Sequence, residues 1–420
     1  MKIRYSLVAL LVLAGMLLAA CGGATPAPTQ PPAVQPQPTS APVAQPTTAP
    51  AAAGGLTGEI TLWHGYHAGG TEEQAVNDAV AELQKANPGL KVNVLEIPFD
   101  QLFNKWETEV AAGGGPDMFT APNDNLGNEV RAGLVAPVDD LMQGHTADFS
   151  KAGVDGLTVD GKLYGVPGII KAVALYYNTS TIPNPPKTTD ELLTLLKSGK
   201  KIALNENNYH NFGWLVSAFG SKLMDDSGAC VADTTGMADA MQFLLDLKAA
   251  GAKFETDGAK ADTEFRQGQV DMIVNGPWVL GDYKKDLGDK LGVAPMPAGP
   301  KGPATPLSGI DGWYINPNAK PEQQKLAVEV GLYLFGKDGA GHWANTAGDP
   351  MVANGITIND PLVKAFVDAA AAGFPRPQSK EFGNWWGPFG DAVTKVVEGK
   401  STPADAVKEA CAAMNKASGK

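Results

Sequence analysis

"EITLWHGYHAGGTEEQAVNDAVAELQKANPGLKVNVLEI", residues 59–97, carries two hydrophobic periods in succession. Glu59–His64 and Leu90–Ile97 are short apolar, β-branched runs of strand type. Between them Val76, Val80 and Leu83 recur at helical spacing, and Asn87-Pro88-Gly89 stops the helix. Thr71 stands where it would cap that helix, with Gln74 completing a capping box. Phe99, Leu102, Phe103, Trp106 and Val110 then predict a second helix, and "PDMFTA" a third strand. Strand alternating with helix is the pattern of a parallel sheet with crossover helices, so the chain reads as α/β.

Working outward, the pattern breaks at "VDGKLYGVPGIIKAVALYYN", 159–178, where Asp160-Gly161 marks a hairpin turn. A second α/β region occupies about 180–305. "TPLSGIDGWYIN", 305–316, is another extended crossing, and helices close the chain. Two α/β lobes joined by at least two crossings make a hinge architecture. At 420 residues the chain is long enough for two cores.

The first twenty residues have the layout of a secretory signal, with Lys2 and Arg4 ahead of an uncharged apolar run from about Leu7 to Leu18. "LAAC", ending at Cys21, resembles a lipoprotein cleavage box, which implies a lipid on Cys21 and attachment to the outer face of the membrane. Residues 22–55 carry no charge and nine prolines, and read as an extended linker. A formal charge of −12 argues against nucleic acid as a partner. Cys230 and Cys411 lack metal-site spacing. They could pair in an oxidising compartment, but the reading favours two small buried residues. No cofactor or metal is expected.

The tryptophans are unevenly placed. Trp106 and Trp343 fall within helical patterns, whereas Trp63, Trp278, Trp313, Trp385 and Trp386 sit at strand ends, turns or beside glycines. In open α/β sheets such places line the ligand crevice. From Glu59 to Lys416 the sequence resembles the extracellular solute-binding proteins of carbohydrate ABC importers, the maltose/maltodextrin-binding type in particular. The resemblance rests on five blocks in order: "GGGPDMFTAPNDNLGNEVRAGLVAPVDD", "DGKLYGVPGIIKAVALYYN", "IPNPPKTTDELL", "FRQGQVDMIVNGPW" and "NWWGPFGDAVTKVVEGKSTPADAV". It implies a two-lobed periplasmic-binding-protein fold of type II, each lobe a mainly parallel sheet flanked by helices. The N-terminal lobe would comprise 58–170 plus about 312–362, and the C-terminal lobe 171–311 plus about 363–420. Residues 1–20 would be the signal peptide and 21–57 the lipidated cysteine and linker.

The resemblance also implies site residues. Trp278, after Asn-Gly-Pro, and Trp386 or its neighbour Trp385 match aromatics that stack on sugar rings; one of the adjacent pair packs while the other lines the cleft. Asp124 matches an aspartate that binds sugar hydroxyls, Asn125 stands in place of the arginine that follows it, and Ala121 in place of a stacking tryptophan. Lys171 stands where the maltose-binding members carry glutamate, and is read either as a ligand contact or as a solvated hinge charge. Tyr209 matches an aromatic of the second lobe, His64 and Tyr66 fall where polar ligand contacts occur, and Trp313 is either a contact or hinge packing. The implied partners are an oligosaccharide, the permease subunits of an ABC importer and, through the lipid, the membrane, with the protein itself a monomer.

Sugar chemistry supports this independently of the resemblance. A pyranose has apolar C–H faces and a rim of hydroxyls, so it suits flat aromatics with donors and acceptors around the edge. A glycosidase would need two opposed carboxylates, and no catalytic motif, nucleophile elbow or phosphate loop is present. A polyamine would call for a cleft dominated by carboxylates. Adjacent Tyr176 and Tyr177 resemble the tyrosine pair of ferric-ion-binding relatives, but neighbouring strand residues point to opposite faces, so core alternation is the reading.

Overall fold

The computed structural model describes residues 55–420; the signal peptide, Cys21 and nearly all of the linker lie outside the described residues. In chain order the strands are β1 (Gly58–His64), β2 (Leu90–Glu96), β3 (Met118–Pro122), β4 (Thr158–Val159), β5 (Lys162–Leu163), β6 (Val166–Lys171), β7 (Ala174–Asn178), β8 (Ile202–Asn205), β9 (Lys253–Glu255), β10 (Met272–Asn275), β11 (Leu291–Ala294), β12 (Leu307–Ile315) and β13 (Phe374–Pro375). They form two main sheets. The first runs β13-β12-β3-β1-β2 with β6 also on β12, the second runs β11-β7-β10-β8-β9, and β4 and β5 make a separate hairpin. Asp160 and Gly161 both have positive φ at the tip of that hairpin, the conformation that Asp-Gly favours.

Each sheet has a parallel centre. β1 pairs in parallel with β2 and β3, and β8 with β9 and β10. Antiparallel pairing enters where the chain crosses between lobes: β6 and β3 lie against β12, and β7 lies between β10 and β11. β6 runs straight on into β7, leaving the first sheet at Lys171 and entering the second at Ala174. The return crossing ends earlier than the sequence boundary near 312, because Gly309 of β12 already pairs with Lys171.

The first lobe has its own core, containing Leu62, Trp106, Phe119, Phe335 and Trp343. Two clusters fill the second, one around Trp214, Met241 and Phe389 and one around Tyr176, Phe265 and Phe366. The helix Thr71–Ala86 turns Ala75, Val76, Ala79, Val80 and Leu83 inward, as its period requires. Its cap differs from expectation. Gly70 is the N-cap and Thr71 the first helical residue, so the threonine hydroxyl is buried without a hydrogen bond.

Cys230 and Cys411 form a disulfide, with Cα atoms 5.3 Å apart. The reading as two separate buried residues is thereby corrected. Their separation of 181 residues hid a proximity that arises only when the helix Pro403–Ser418 packs into the second lobe. Among the described residues no helix is long and apolar enough to cross a membrane.

Candidate functional site

A cavity of about 650 Å³ opens between the two sheets. The first lobe contributes Tyr66, Glu72, Asp124 and Asp311 to its walls, and the second Tyr209, Trp278 and Trp386.

The aromatic wall is built locally. β10 is fully buried, and the chain leaves it through Gly276 into a short 3-10 turn that opens at Pro277. A Cβ on Gly276 would lie 2.0 Å from the Trp278 ring, so only glycine lets the indole fold back over the turn. Tyr176 donates to the Gly276 carbonyl at 2.7 Å and fixes the turn from below. Tyr209 lies 6.2 Å from Trp278 and 6.4 Å from Trp386, its ring tilted by 35° and 44° to theirs. Asn208 secures the third member by donating to the Trp386 carbonyl at 3.0 Å. Three partly exposed rings from separate segments therefore form one surface.

Beneath that surface sits Arg376, with its guanidinium carbon 5.4 Å from the Tyr209 ring and 5.5 Å from the Trp386 ring. It pairs with Asp124 of the first lobe and reaches Asn123 Oδ1 at 3.4 Å. Burial pulls its pKa down to about 9, which leaves it charged at neutral pH. One oxygen of Asp124 is thus committed to Arg376, while the residue stays partly open to the cavity.

The floor is ionic. Lys171 Nζ lies 2.7 Å from both Glu72 Oε1 and Asp311 Oδ2, and it faces the Tyr66 ring at 5.3 Å and the Trp278 ring at 5.9 Å. Burial alone would discharge the ammonium, but Asp311, Glu72 and Asp349 outweigh it and hold its pKa well above the usual value. Burial, then the charge of Glu72, pushes the Asp349 carboxyl well above the usual carboxylate range. Lys171 is therefore a buried, paired cation, which corrects its reading as a solvated hinge charge.

Across the mouth the lobes touch. His67 Nε2, on the loop after β1, lies 3.2 Å from Asp282 Oδ2 on the second-lobe helix Leu280–Leu287. Gly281 of that helix donates to the Ala347 carbonyl of the first lobe at 3.0 Å. Burial works against the Asp282 charge, yet the His67 bond and the Thr71 N–H hold its carboxyl below the usual range.

Of the residues singled out in the sequence, Trp278, Trp386, Tyr209, Tyr66, Asp124 and Lys171 meet in this cavity. Four others do not. Trp385 is fully buried between Phe382, Phe389 and Phe212, which decides the adjacent pair in favour of Trp386. Trp313 packs on Phe335 at 5.3 Å, because β12 is buried along its whole length. His64 ends a strand flanked on both sides and is buried behind Tyr66, whose N–H donates to its Nδ1 at 3.3 Å; burial takes its pKa down to about 4 and keeps it neutral. Asn125 is the N-cap residue of the helix Leu126–Arg131 and donates to Glu107 at 2.8 Å, outside the cavity walls.

Glu72, Asp311 and Arg376 were missed. Asp311 left a signal, a lone charge in the apolar run "LSGIDGWYI", which can be buried only with a partner. Arg376, clamped between Pro375 and Pro377, left another.

The family model described as bacterial extracellular solute-binding protein matches residues 78–365, more than half of the chain. The chain is 26% identical over 384 residues to the maltotriose-binding protein of Pyrococcus abyssi, covering 81% of this chain and 78% of that one. It is 25% identical over 384 residues to the galactooligosaccharide-binding protein of Bacillus subtilis, covering 84% and 87%. Among solved structures, the Thermus thermophilus maltotriose-binding protein bound with maltotriose superposes with a TM-score of 0.76 at 29% identity, covering 85% of this chain and 99% of that one. The chain belongs to the bacterial extracellular solute-binding proteins, which hold a solute between two lobes without transforming it.

Proposed function

We propose that the protein captures a neutral oligosaccharide of the maltodextrin type in the interlobe cleft and passes it to the permease of an ABC importer. The observation that carries this reading is the surface formed by Tyr209, Trp278 and Trp386 opposite a floor of paired charges. Flat rings meet the C–H faces of a pyranose, and the polar floor and rim meet its hydroxyls. In this reading Trp278, Trp386 and Tyr209 stack on the sugar, while Tyr66, Lys171 and the free oxygen of Asp124 hydrogen-bond it. Relatives named for maltotriose and maltodextrin support the choice of sugar, and a Streptococcus pneumoniae relative is named a maltooligosaccharide ABC transporter solute-binding lipoprotein. We further propose that a lipid on Cys21 anchors a monomer to the outer face of the membrane.

The galactooligosaccharide-binding relative favours a second reading, a galactose-containing oligosaccharide on the same surface. Calorimetry with maltose, maltotriose, cellobiose and a galactooligosaccharide separates the two. Maltotriose is expected to bind at micromolar Kd or tighter and to shift the tryptophan fluorescence. Absence of heat and of fluorescence change with all four sugars would refute the assignment.

A further inference from the structure

Next to the turn that carries Trp278, the cavity wall becomes polar. Helix Gly258–Arg266 presents Gly258, Ala259, Asp262 and Thr263 to the cavity, with His67 across from it on the first lobe. Ala261, Glu264 and Phe265 face inward instead, so the helical period itself turns Asp262 toward the opening.

Asp262 is held unlike a surface carboxylate. Its Oδ1 accepts from Tyr283 Oη at 2.8 Å and from Asn275 Nδ2 at 2.7 Å, and both donors are buried. Asn275 is further fixed by accepting the Gly276 N–H at 2.8 Å. Among the described residues Asp262 has no ion pair, and its Oδ2 has no protein donor. A cavity-lining carboxylate aimed by two neutral donors, with one oxygen saturated and the other left without a protein donor, is a pre-organised acceptor. Asn275 and Tyr283 also flank the turn that presents Trp278, so one short segment positions both the indole and the carboxylate.

We infer that Asp262 is a ligand-binding residue of a polar subsite in this part of the cavity wall, accepting a hydrogen bond from a ligand hydroxyl through Oδ2, with Tyr283 and Asn275 as its positioning residues. The small side chains of Gly258 and Ala259 leave that wall open to a ring edge. The aromatic surface selects for a ring face, and Asp262 for an O–H donor that a deoxy or O-methylated sugar lacks. This inference rests on the oligosaccharide reading and deepens it.

The test is calorimetry of the full chain with maltotriose, comparing wild type, Asp262→Asn, Tyr283→Phe and the double variant. In Asp262→Asn the amide oxygen keeps the bonds from Tyr283 and Asn275 and turns an N–H donor toward the ligand. Its Kd should rise about 10- to 100-fold, the range of a charge-assisted hydrogen bond. Tyr283→Phe should weaken binding about 3- to 10-fold in wild type and have little further effect beside Asp262→Asn, a coupling that a purely structural role would not produce. Wild-type binding of maltotriose with Asp262→Asn within twofold of it overturns the Asp262 assignment and leaves the sugar reading standing. Additive effects of the two substitutions overturn the positioning role. If wild type binds none of the four sugars, both readings fall together.

Discussion

Lys171→Met should make the stability of the protein fall more steeply with rising pH than it does in the wild type. The ammonium sits 2.7 Å from carboxylate oxygens of both Glu72 and Asp311, with Asp349 beside them, all buried. Methionine nearly preserves the volume, so the packing loss is small and the electrostatic loss dominates. Removing one partner of a buried pair costs about 3–5 kcal/mol, because the remaining charge is stranded. For a chain of this size that corresponds to a Tm lower by about 4–6 °C near neutral pH. The direction with pH follows from the carboxyls. Burial already raises the pKa of Glu72 and Asp311, and the lysine opposes it. Without the lysine both rise further, and an acid with a raised folded pKa loses stability as pH climbs above its unfolded value. The deficit should therefore be largest at about pH 7.5 and shrink toward about pH 4.5, where the acids take up protons. Scanning calorimetry of both proteins across that interval measures it. The double variant Lys171→Met/Asp311→Asn should recover part of the loss at neutral pH. A deficit that is constant with pH, or that grows toward acid, would refute charge compensation as the role of Lys171.

Other outcomes are expected. His67 is held above the ordinary histidine value, first by its bond to Asp282 and further by the nearby charges of Glu72 and Asp262. Its contact across the mouth is thus complete below about pH 6.5 and fades as pH rises through the raised value. Maltotriose affinity measured by calorimetry should weaken over that rise in wild type and be flatter in His67→Gln; superimposable pH curves would rule the contact out as a closing force. Glu129 is pushed up to about 8, by burial first and then by Glu107. Its protonated form is favoured in the fold, so stability falls from the ordinary carboxyl pKa up to about pH 8, and Glu129→Gln should raise the unfolding free energy above pH 8 by at most about 5 kcal/mol, with little change near pH 4.5. Opening the disulfide with Cys230→Ser and Cys411→Ser removes a closed loop spanning 181 residues. Denaturant unfolding should show a loss of about 2–5 kcal/mol, and an unchanged midpoint would mean that the unfolded chain gains no freedom from the cut.

The fold was legible where a local period carried it. The helix Thr71–Ala86 and the strands on either side follow from residues a few positions apart, and so does the Asp160-Gly161 hairpin. The aromatic surface was legible through strand stops and glycines, above all Gly276 before Trp278. What stayed hidden depends on residues distant in the chain. Lys171 and Glu72 are separated by 99 positions, and no local pattern announces their contact. Trp385 and Trp386 could not be told apart by composition, because which indole faces the cleft depends on how the helix Trp386–Val397 seats on the second core. The cap of the first helix was misjudged for a related reason, since its N-terminus abuts the other lobe, where Asp282 approaches Thr71.

The discontinuous lobes bear on how the chain acquires its shape during synthesis. The first sheet needs β12 between β3 and β6, and the second core needs the helix that ends at Ser418. Neither half can be completed from a contiguous stretch, so a chain emerging from the ribosome leaves the second lobe unfinished until the helix Pro403–Ser418 has been made. Contacts of such long sequence separation fold slowly. That delay also postpones the bond between Cys230 and Cys411, since Cys411 lies on that helix.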